Sequence, residues 1–178
     1  ACNAEEPAYW GGPYGSQAIV ASGDGSRVYV VDPDESALAI VDLATDESTR
    51  INLEGAPARI ARVGEQLFVT MRDRREVLAL AEPAGEIVAH IPTRAEPVGI
   101  VALGDRIYVA VALAAEIMEI DAATLAPLRT WSTRGEPRWL AIHPSGKKLY
   151  AISARNGEAY LIDLEADDRV EFIVLPRR

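Results

Sequence analysis

A repeat of about 40 residues, present four times, is the feature that most limits what this chain can fold into. Pro57, Pro97 and Pro137 lie 40 residues apart and mark the boundaries between units. Four aromatic residues in equivalent apolar segments occur at spacings of 39, 40 and 42, namely Tyr29, Phe68, Tyr108 and Tyr150. Such a period indicates a repeat architecture, in which each unit buries its apolar surface against its neighbours.

Each unit contains four short apolar segments separated by turn residues, as the third unit illustrates. The segments predicted to be strands in that unit are Val98 to Leu103, Arg106 to Ala112, Glu116 to Asp121 and Leu128 to Ser132. Gly104-Asp105 joins the first two with a tight turn, because glycine tolerates a positive φ. Segments spaced this closely leave little room for helices.

These strands are apolar on both faces, as in Ile100-Val101-Ala102 and Val109-Ala110-Val111-Ala112. A four-stranded sheet of that kind needs a neighbouring sheet on each side, and a ring of blades supplies both. The sequence therefore predicts an all-β fold, a β-propeller of four-stranded antiparallel blades. The predicted blades span 17–56, 57–96, 97–136 and 137–178, and residues 1–16 are predicted to form an N-terminal tether.

Two segments of the first unit carry a family resemblance. Val28-Tyr29-Val30-Val31-Asp32, followed by Ala39-Ile40-Val41-Asp42-Leu43-Ala44-Thr45, resembles the YVTN-type β-propeller repeat of bacterial and archaeal surface proteins. Phe68-Val69-Thr70-Met71 and Tyr108-Val109-Ala110-Val111 are weaker copies, and the Gly-x-Pro element between blades is kept best at Gly55-Ala56-Pro57. The resemblance covers residues 17–178 and implies a propeller fold, without assigning a function.

Ring closure is left open by the number of repeats. Members of the YVTN family usually close a ring of about seven blades, which needs roughly 280 residues at this period. Only four units are present here, so three interpretations remain. The chain is the N-terminal part of a longer propeller, or another chain or a second copy completes the blades, or four blades close alone. The predicted partner is accordingly another protein chain or further blades of the same propeller.

The charge and the N-terminus bear on location and partners. A net charge of −9 argues against a nucleic-acid partner, which needs a basic face, and against electrostatic docking on anionic lipid. Ala1-Cys2, followed by the polar segment Asn3-Ala4-Glu5-Glu6-Pro7, resembles the junction of a bacterial lipoprotein. This predicts lipidation at Cys2 and an extracytoplasmic location, in the periplasm or on the outer cell surface, with membrane attachment only through that anchor. An ordinary thiol in a polar tail is the alternative.

Charged loops indicate where a partner would bind. In a propeller, the connections between the second and third strands of each blade share one face with the connections between blades, and loops on such a face commonly carry function. The predicted protein-binding residues of this rim are Arg59, Arg72, Arg74, Arg75, Arg94, Arg134, Arg138, Trp139 and Arg155. Arg and Trp are typical anchors of protein interfaces, and the mixed charge of these loops favours a protein over a polyanion. A solvated charged rim is the alternative.

Catalytic signatures are missing from the sequence, which has no nucleophile elbow, HExxH motif or phosphate loop. Its two histidines, His90 and His143, are too few for a histidine-rich metal site, so no catalytic, cofactor-binding or metal residue is predicted. The predicted function is a non-catalytic cell-envelope module that mediates protein binding or scaffolding within a larger assembly. The alternative is a ligand-binding or catalytic propeller, of lactonase, lyase or quinoprotein type, with its site at the central channel.

Overall fold

The computed structural model describes residues 15, 17–153, 155, 157–166 and 170–176. These residues form sixteen strands in four four-stranded antiparallel sheets. No helix occurs among them, and therefore none that could cross a membrane. The predicted all-β fold with four blades is therefore confirmed. The predicted tether and the predicted lipidation of Cys2 fall on residues 1–14 and 16, outside the described residues.

The strands of each blade are hydrogen-bonded in chain order. Blade 1 contains β1 (Ile19–Ala21), β2 (Arg27–Asp32), β3 (Ala37–Asp42) and β4 (Ser48–Asn52). Blade 2 contains β5 (Pro57–Val63), β6 (Gln66–Met71), β7 (Glu76–Ala81) and β8 (Glu86–Pro92). Blade 3 contains β9 (Pro97–Leu103), β10 (Arg106–Val111), β11 (Glu116–Asp121) and β12 (Pro127–Ser132). Blade 4 contains β13 (Pro137–Ile142), β14 (Lys148–Ser153), β15 (Glu158–Asp163) and β16 (Val170–Val174).

Recurring turn residues explain why each blade folds in the same way. Gly104 has a φ of +58° in the β9–β10 turn, a conformation that glycine adopts without steric cost. The turns between the third and fourth strands are closed by aspartates: the carboxylate of Asp121 accepts hydrogen bonds from the backbone N–H groups of Ala123 and Thr124, at 3.0 and 2.8 Å. Asp42 and Asp163 accept equivalent bonds, so these repeated aspartates are structural.

Neighbouring blades bury three apolar interfaces between them. Tyr29 of blade 1 packs on blade 2, Phe68 of blade 2 packs on blade 3, and Tyr108 of blade 3 packs on blade 4, and all three are buried. The equivalent Tyr150 of blade 4 is only half-buried, although it occupies the same position in the repeat. The physical reason is that no blade among the described residues packs on this side of blade 4.

The first strands of successive blades, β1, β5, β9 and β13, lie side by side along the inner edge of the arc. The N-terminal segment crosses this edge, because Gly15 forms a β-bridge with Ala141 of blade 4 and Gln17 forms one with Ile60 of blade 2. Within the described residues, no apolar cluster joins blade 1 to blade 4. The four blades therefore form an arc whose two terminal sheets do not pack on each other.

Candidate functional site

The predicted rim exists as one surface, because the inter-blade loops and the loops between second and third strands are hydrogen-bonded to each other. The backbone N–H of Ala56 donates to the carboxylate of Asp73 at 2.8 Å, and that of Arg72 donates to the carbonyl of Ala56 at 2.9 Å. The backbone N–H of Ala112 donates to the carbonyl of Glu96 at 2.8 Å. These contacts hold both loop types on the same face of the arc.

Six of the nine predicted rim residues lie in these loops, and three do not. The loop residues are Arg72, Arg74, Arg75, Arg94, Arg134 and Arg155. Arg59 lies within β5, and Arg138 and Trp139 lie within β13. The assignment of these three to loops was wrong, because each repeat proline is the first residue of a strand. A proline is tolerated at that position since it lacks the N–H that the interior of a sheet needs.

Arg138 holds blades 3 and 4 together through a chain of ion pairs. Its guanidinium lies 3.2 Å from the carboxylate of Glu96 and 3.3 Å from that of Glu136, and Glu136 also pairs with Arg155 at 2.7 Å. Burial alone would lower the pKa of Arg138, but the hydrogen bonds that its guanidinium donates to both carboxylates outweigh burial and raise this pKa. Arg138 is therefore a structural cation with its charge already satisfied.

Three other rim arginines also have partners. Arg94 pairs with the buried Glu116 at 3.3 Å. Arg74 donates to the backbone carbonyl of Glu54 and lies 3.8 Å from its carboxylate. The guanidinium of Arg134 stacks over the ring of Phe172, 3.5 Å from its centroid. These side chains stabilise the rim itself. The sequence pattern did not distinguish such paired arginines from arginines that are free to bind a partner.

Arg72 and Arg75 differ from those arginines, because their exposed side chains form no ion pair or side-chain hydrogen bond with any other described residue. They border a shallow groove of about 380 Å³ between blades 2 and 3. The remaining residues of this rim groove are Ala56, Asp73, Ala95, Glu96 and Leu113. Leu113 is 63% exposed, so the groove combines an exposed apolar side chain with two cations that have no partner in the described part of the chain. Such a surface can bind a carboxylate and an apolar group together.

A second concave surface lies at the inner edge of the arc. This cavity of about 1150 Å³ is lined by β1, β5 and β9 and by the β1–β2 turn. Its charged groups are engaged locally: Arg62 pairs with Glu82 at 2.6 Å, and Asp24 accepts hydrogen bonds from Ser22 and Ser26. Those hydroxyl and backbone donors, Ser22 first, hold the pKa of Asp24 well below its usual range. No group of metal-binding side chains occurs among the residues that the structure describes.

A buried polar cluster at the interface of blades 3 and 4 was missed by the sequence reasoning. Glu119 is buried and pairs with Arg129, whose guanidinium lies 4.4 Å from the ring centroid of Trp131. The hydroxyl of Tyr108 donates to Glu119 at 3.2 Å, and Arg106 lies 4.0 Å from the same carboxylate. The sequence signal for this cluster was Glu119 itself, a charged residue in the otherwise apolar strand β11, on the face that packs against blade 4. Because its partners satisfy it, the cluster is structural.

The ionisation of Tyr108 provides a test of this cluster. Burial, followed by the negative charge of Glu119, raises the pKa of the Tyr108 phenol above its ordinary value of about 10. The stability that the neutral Tyr108 phenol contributes is therefore fully present below pH ~10, and it is lost as the pH rises through the pKa of the folded state. We expect the urea midpoint to fall less steeply above pH ~10 in Tyr108→Phe than in the native chain. Equal slopes in urea titrations at several alkaline pH values would contradict this.

Comparison with known proteins supports the fold. No family model and no curated protein matches the chain. Hydrazine synthase from Kuenenia stuttgartiensis is similar at a TM-score of 0.78 and 25% identity, over 92% of this chain and 49% of its own. Dihydro-heme d1 dehydrogenase NirN in complex with DHE is similar at a TM-score of 0.76 and 18% identity, over 90% of this chain and 37% of its own. Virginiamycin B lyase from Staphylococcus aureus is similar at a TM-score of 0.78 and 12% identity, over 92% of this chain and 56% of its own.

These three similarities establish the β-propeller fold of this chain. The chain spans about half, or less, of the length of each of those propeller proteins. A propeller fold carries many unrelated functions, so a function has to be argued from the residues of this chain.

Proposed function

We propose that this chain is a non-catalytic cell-envelope β-propeller module that binds another protein through its rim groove. The observation that carries the proposal is that two guanidiniums beside the exposed Leu113, those of Arg72 and Arg75, have no side-chain partner among the described residues. Other rim arginines, including Arg138, already have partners. A guanidinium without a carboxylate partner can bind a carboxylate through two parallel hydrogen bonds.

The chemistry of the groove defines the kind of partner. Arginine beside an apolar side chain is a common composition at the centre of protein interfaces. Asp73 and Glu96 also line the groove, and the chain has a net charge of −9, so a polyanion would be repelled. The expected ligand is therefore a segment of a protein that carries an acidic side chain next to an apolar one.

The envelope location is part of the same proposal and rests on the sequence. Cys2 after Ala1 resembles a lipoprotein junction, and the repeats resemble YVTN-type propellers of surface proteins. A lipid anchor at Cys2 would tether the chain to a membrane. Mass spectrometry of the N-terminal peptide from native cells tests this part, since lipidation adds acyl mass to Cys2.

The rim groove is tested by removing both cations. We expect Arg72→Ala/Arg75→Ala to weaken binding of the partner by about 10- to 100-fold, because truncated interface arginines commonly lose that much. The partner is first identified by mass spectrometry after capture from an envelope extract of the native organism. Its Kd is then measured with purified proteins by isothermal titration calorimetry.

The control for this experiment removes two positive charges elsewhere. Arg50→Ala/Lys147→Ala disrupts two exposed ion pairs, with Glu35 and Glu165, outside the groove. Exposed pairs contribute little to stability, so this variant should fold and bind normally. If both double variants bind the partner as tightly as the native chain does, the rim groove is not the binding site.

A second candidate function is binding of a small molecule in the inner cavity. Its size, about 1150 Å³, exceeds what a drug-sized ligand needs, and Arg62, which is paired with Glu82, lies on its wall. Under this alternative, a small molecule should remain bound to the natively purified chain and be lost in Arg62→Ala, while Arg72→Ala/Arg75→Ala retains it. Native mass spectrometry of the three proteins distinguishes the two functions.

A further inference from the structure

The loops between the second and third strands of blades 1, 2 and 3 share one backbone conformation. We call them rim loops 1, 2 and 3, and they comprise residues 33–36, 72–75 and 112–115. The last residue of each loop has a positive φ, of +52° at Ser36, +57° at Arg75 and +52° at Ala115. The carbonyl of that residue accepts a backbone hydrogen bond from the next connection between blades, at 2.9, 2.8 and 2.7 Å. The three loops therefore present their side chains from the same backbone frame.

The side chains on this shared frame differ from blade to blade. Rim loop 1 is acidic (Pro33-Asp34-Glu35-Ser36), rim loop 2 is mainly basic (Arg72-Asp73-Arg74-Arg75) and rim loop 3 is apolar (Ala112-Leu113-Ala114-Ala115). On the opposite face of the arc, the turns between third and fourth strands keep the same aspartate in three of the four blades, as described above. Variation that is concentrated in the loops of one face of a rigid scaffold is typical of a binding surface.

Each rim loop carries an exposed side chain that is available to a ligand. The exposed carboxylate of Asp34 forms no ion pair or hydrogen bond with another described residue, whereas the adjacent Glu35 is already paired with Arg50 at 3.6 Å. Rim loop 2 provides the two cations of the rim groove, and rim loop 3 provides the exposed Leu113. Blades 1, 2 and 3 thus offer an anion, a pair of cations and an apolar side chain.

Backbone hydrogen bonds fix the order in which these groups follow each other. Leu53 bonds the connection between blades 1 and 2 to rim loop 1, and Ala56 of the same connection bonds to rim loop 2. Thr93 bonds the next connection to rim loop 2, and Glu96 of that connection bonds to rim loop 3. Facing sheets lie about 10 Å apart, and an extended chain advances about 3.3 Å per residue. Groups on successive blades are therefore about three residues apart for an extended ligand.

We propose that the rim binds an extended segment of a partner protein in which an acidic residue lies between a cationic and an apolar residue, each about three residues away. The cationic residue of the segment contacts Asp34, the acidic residue contacts Arg72 and Arg75, and the apolar residue packs on Leu113. This inference rests on the proposed function and specifies the partner segment for the same site. Charge complementarity favours this order, because any other order places like charges together or an apolar group against a charge.

Synthetic peptides test whether the rim distinguishes the order of the three groups. The probes are immobilised peptides of about 12 residues that carry Arg, Glu and Leu in a Gly-Ser background, about three residues apart, in each of the six possible orders. Two of these orders have Glu in the middle, one for each direction of the peptide. We expect the native chain to bind one of these two about fivefold or more tightly than the four others in surface plasmon resonance.

Variants of the chain assign each peptide residue to its blade. Asp34→Asn should weaken binding of the preferred peptide about two- to fivefold, the range that exposed ion pairs contribute, but should not affect a peptide whose Arg is replaced by Ser. Leu113→Ser should likewise affect only peptides that contain Leu. Asp46→Asn is the matched control, because it makes the same change at an exposed aspartate of the β3–β4 turn, on the opposite face of the arc. Near-UV circular dichroism verifies that each variant is folded.

The outcomes separate this inference from the proposed function. If the native chain binds all six peptides equally and Arg72→Ala/Arg75→Ala weakens each of them, the rim groove binds ligands without distinguishing the order, and the inference is wrong. A native chain that binds none of the six also overturns the inference, and the captured partner then tests the proposed function separately. If Arg72→Ala/Arg75→Ala leaves binding of both the peptides and the captured partner unchanged, the inference and the proposed function both fail.

Discussion

Phe68→Ala is expected to lower the free energy of unfolding by about 3–5 kcal/mol. The Phe68 ring is completely buried between blades 2 and 3, in a cluster that includes Ile100 and Ile107. Both sheets are held by their own backbone hydrogen bonds, so they cannot close readily over the cavity that the lost ring leaves. Urea unfolding followed by tryptophan fluorescence measures the change.

Phe172→Ala is the matched control for this experiment. It removes the same atoms from β16, where the ring is 40% exposed and contacts the guanidinium of Arg134. A partly exposed ring on an outer strand leaves no closed cavity, so we expect a loss of about 1 kcal/mol or less. Equal losses in the two variants would show that Phe68 does not sit in a tight interface between blades.

Arg129→Met is expected to lower the free energy of unfolding by about 3–5 kcal/mol, a loss typical of breaking a buried ion pair. The substitution keeps most of the aliphatic stem but removes the cation that faces Glu119. Glu119 is buried at the interface of blades 3 and 4, and its remaining cation, Arg106, is 4.0 Å away. A carboxylate left in this position lacks most of the compensation for its lost hydration.

A second substitution separates this charge effect from lost packing. Glu119→Gln/Arg129→Met removes the buried charge along with its partner, so we expect the double variant to recover about 2 kcal/mol or more relative to Arg129→Met. Arg50→Met, which breaks the exposed pair with Glu35, should change stability by less than about 0.5 kcal/mol. Glu119→Gln alone completes the cycle: if the losses of Glu119→Gln and Arg129→Met add up to the loss of the double variant, the two side chains do not interact.

The sequence by itself determined where the strands lie and how they are grouped. β11 was predicted at its observed limits, Glu116–Asp121, and the other strands of blade 3 were predicted to within one residue. Strand positions are local properties, set by alternating apolar side chains and by turn residues such as Gly104. Because the period of about 40 residues repeats these local signals, it also determined that several similar sheets pack together.

The tertiary structure alone decided what each repeated residue does. Arg138 and Arg72 looked alike as rim arginines, yet only Arg138 reaches a carboxylate, that of Glu96, which lies 42 residues away. Likewise, Tyr108 and Tyr150 occupy equivalent positions, but among the described residues only Tyr108 is covered by a neighbouring blade. Ion pairing and burial depend on residues that are distant in the chain. A local periodic pattern carries no information about which of these residues become neighbours in the fold.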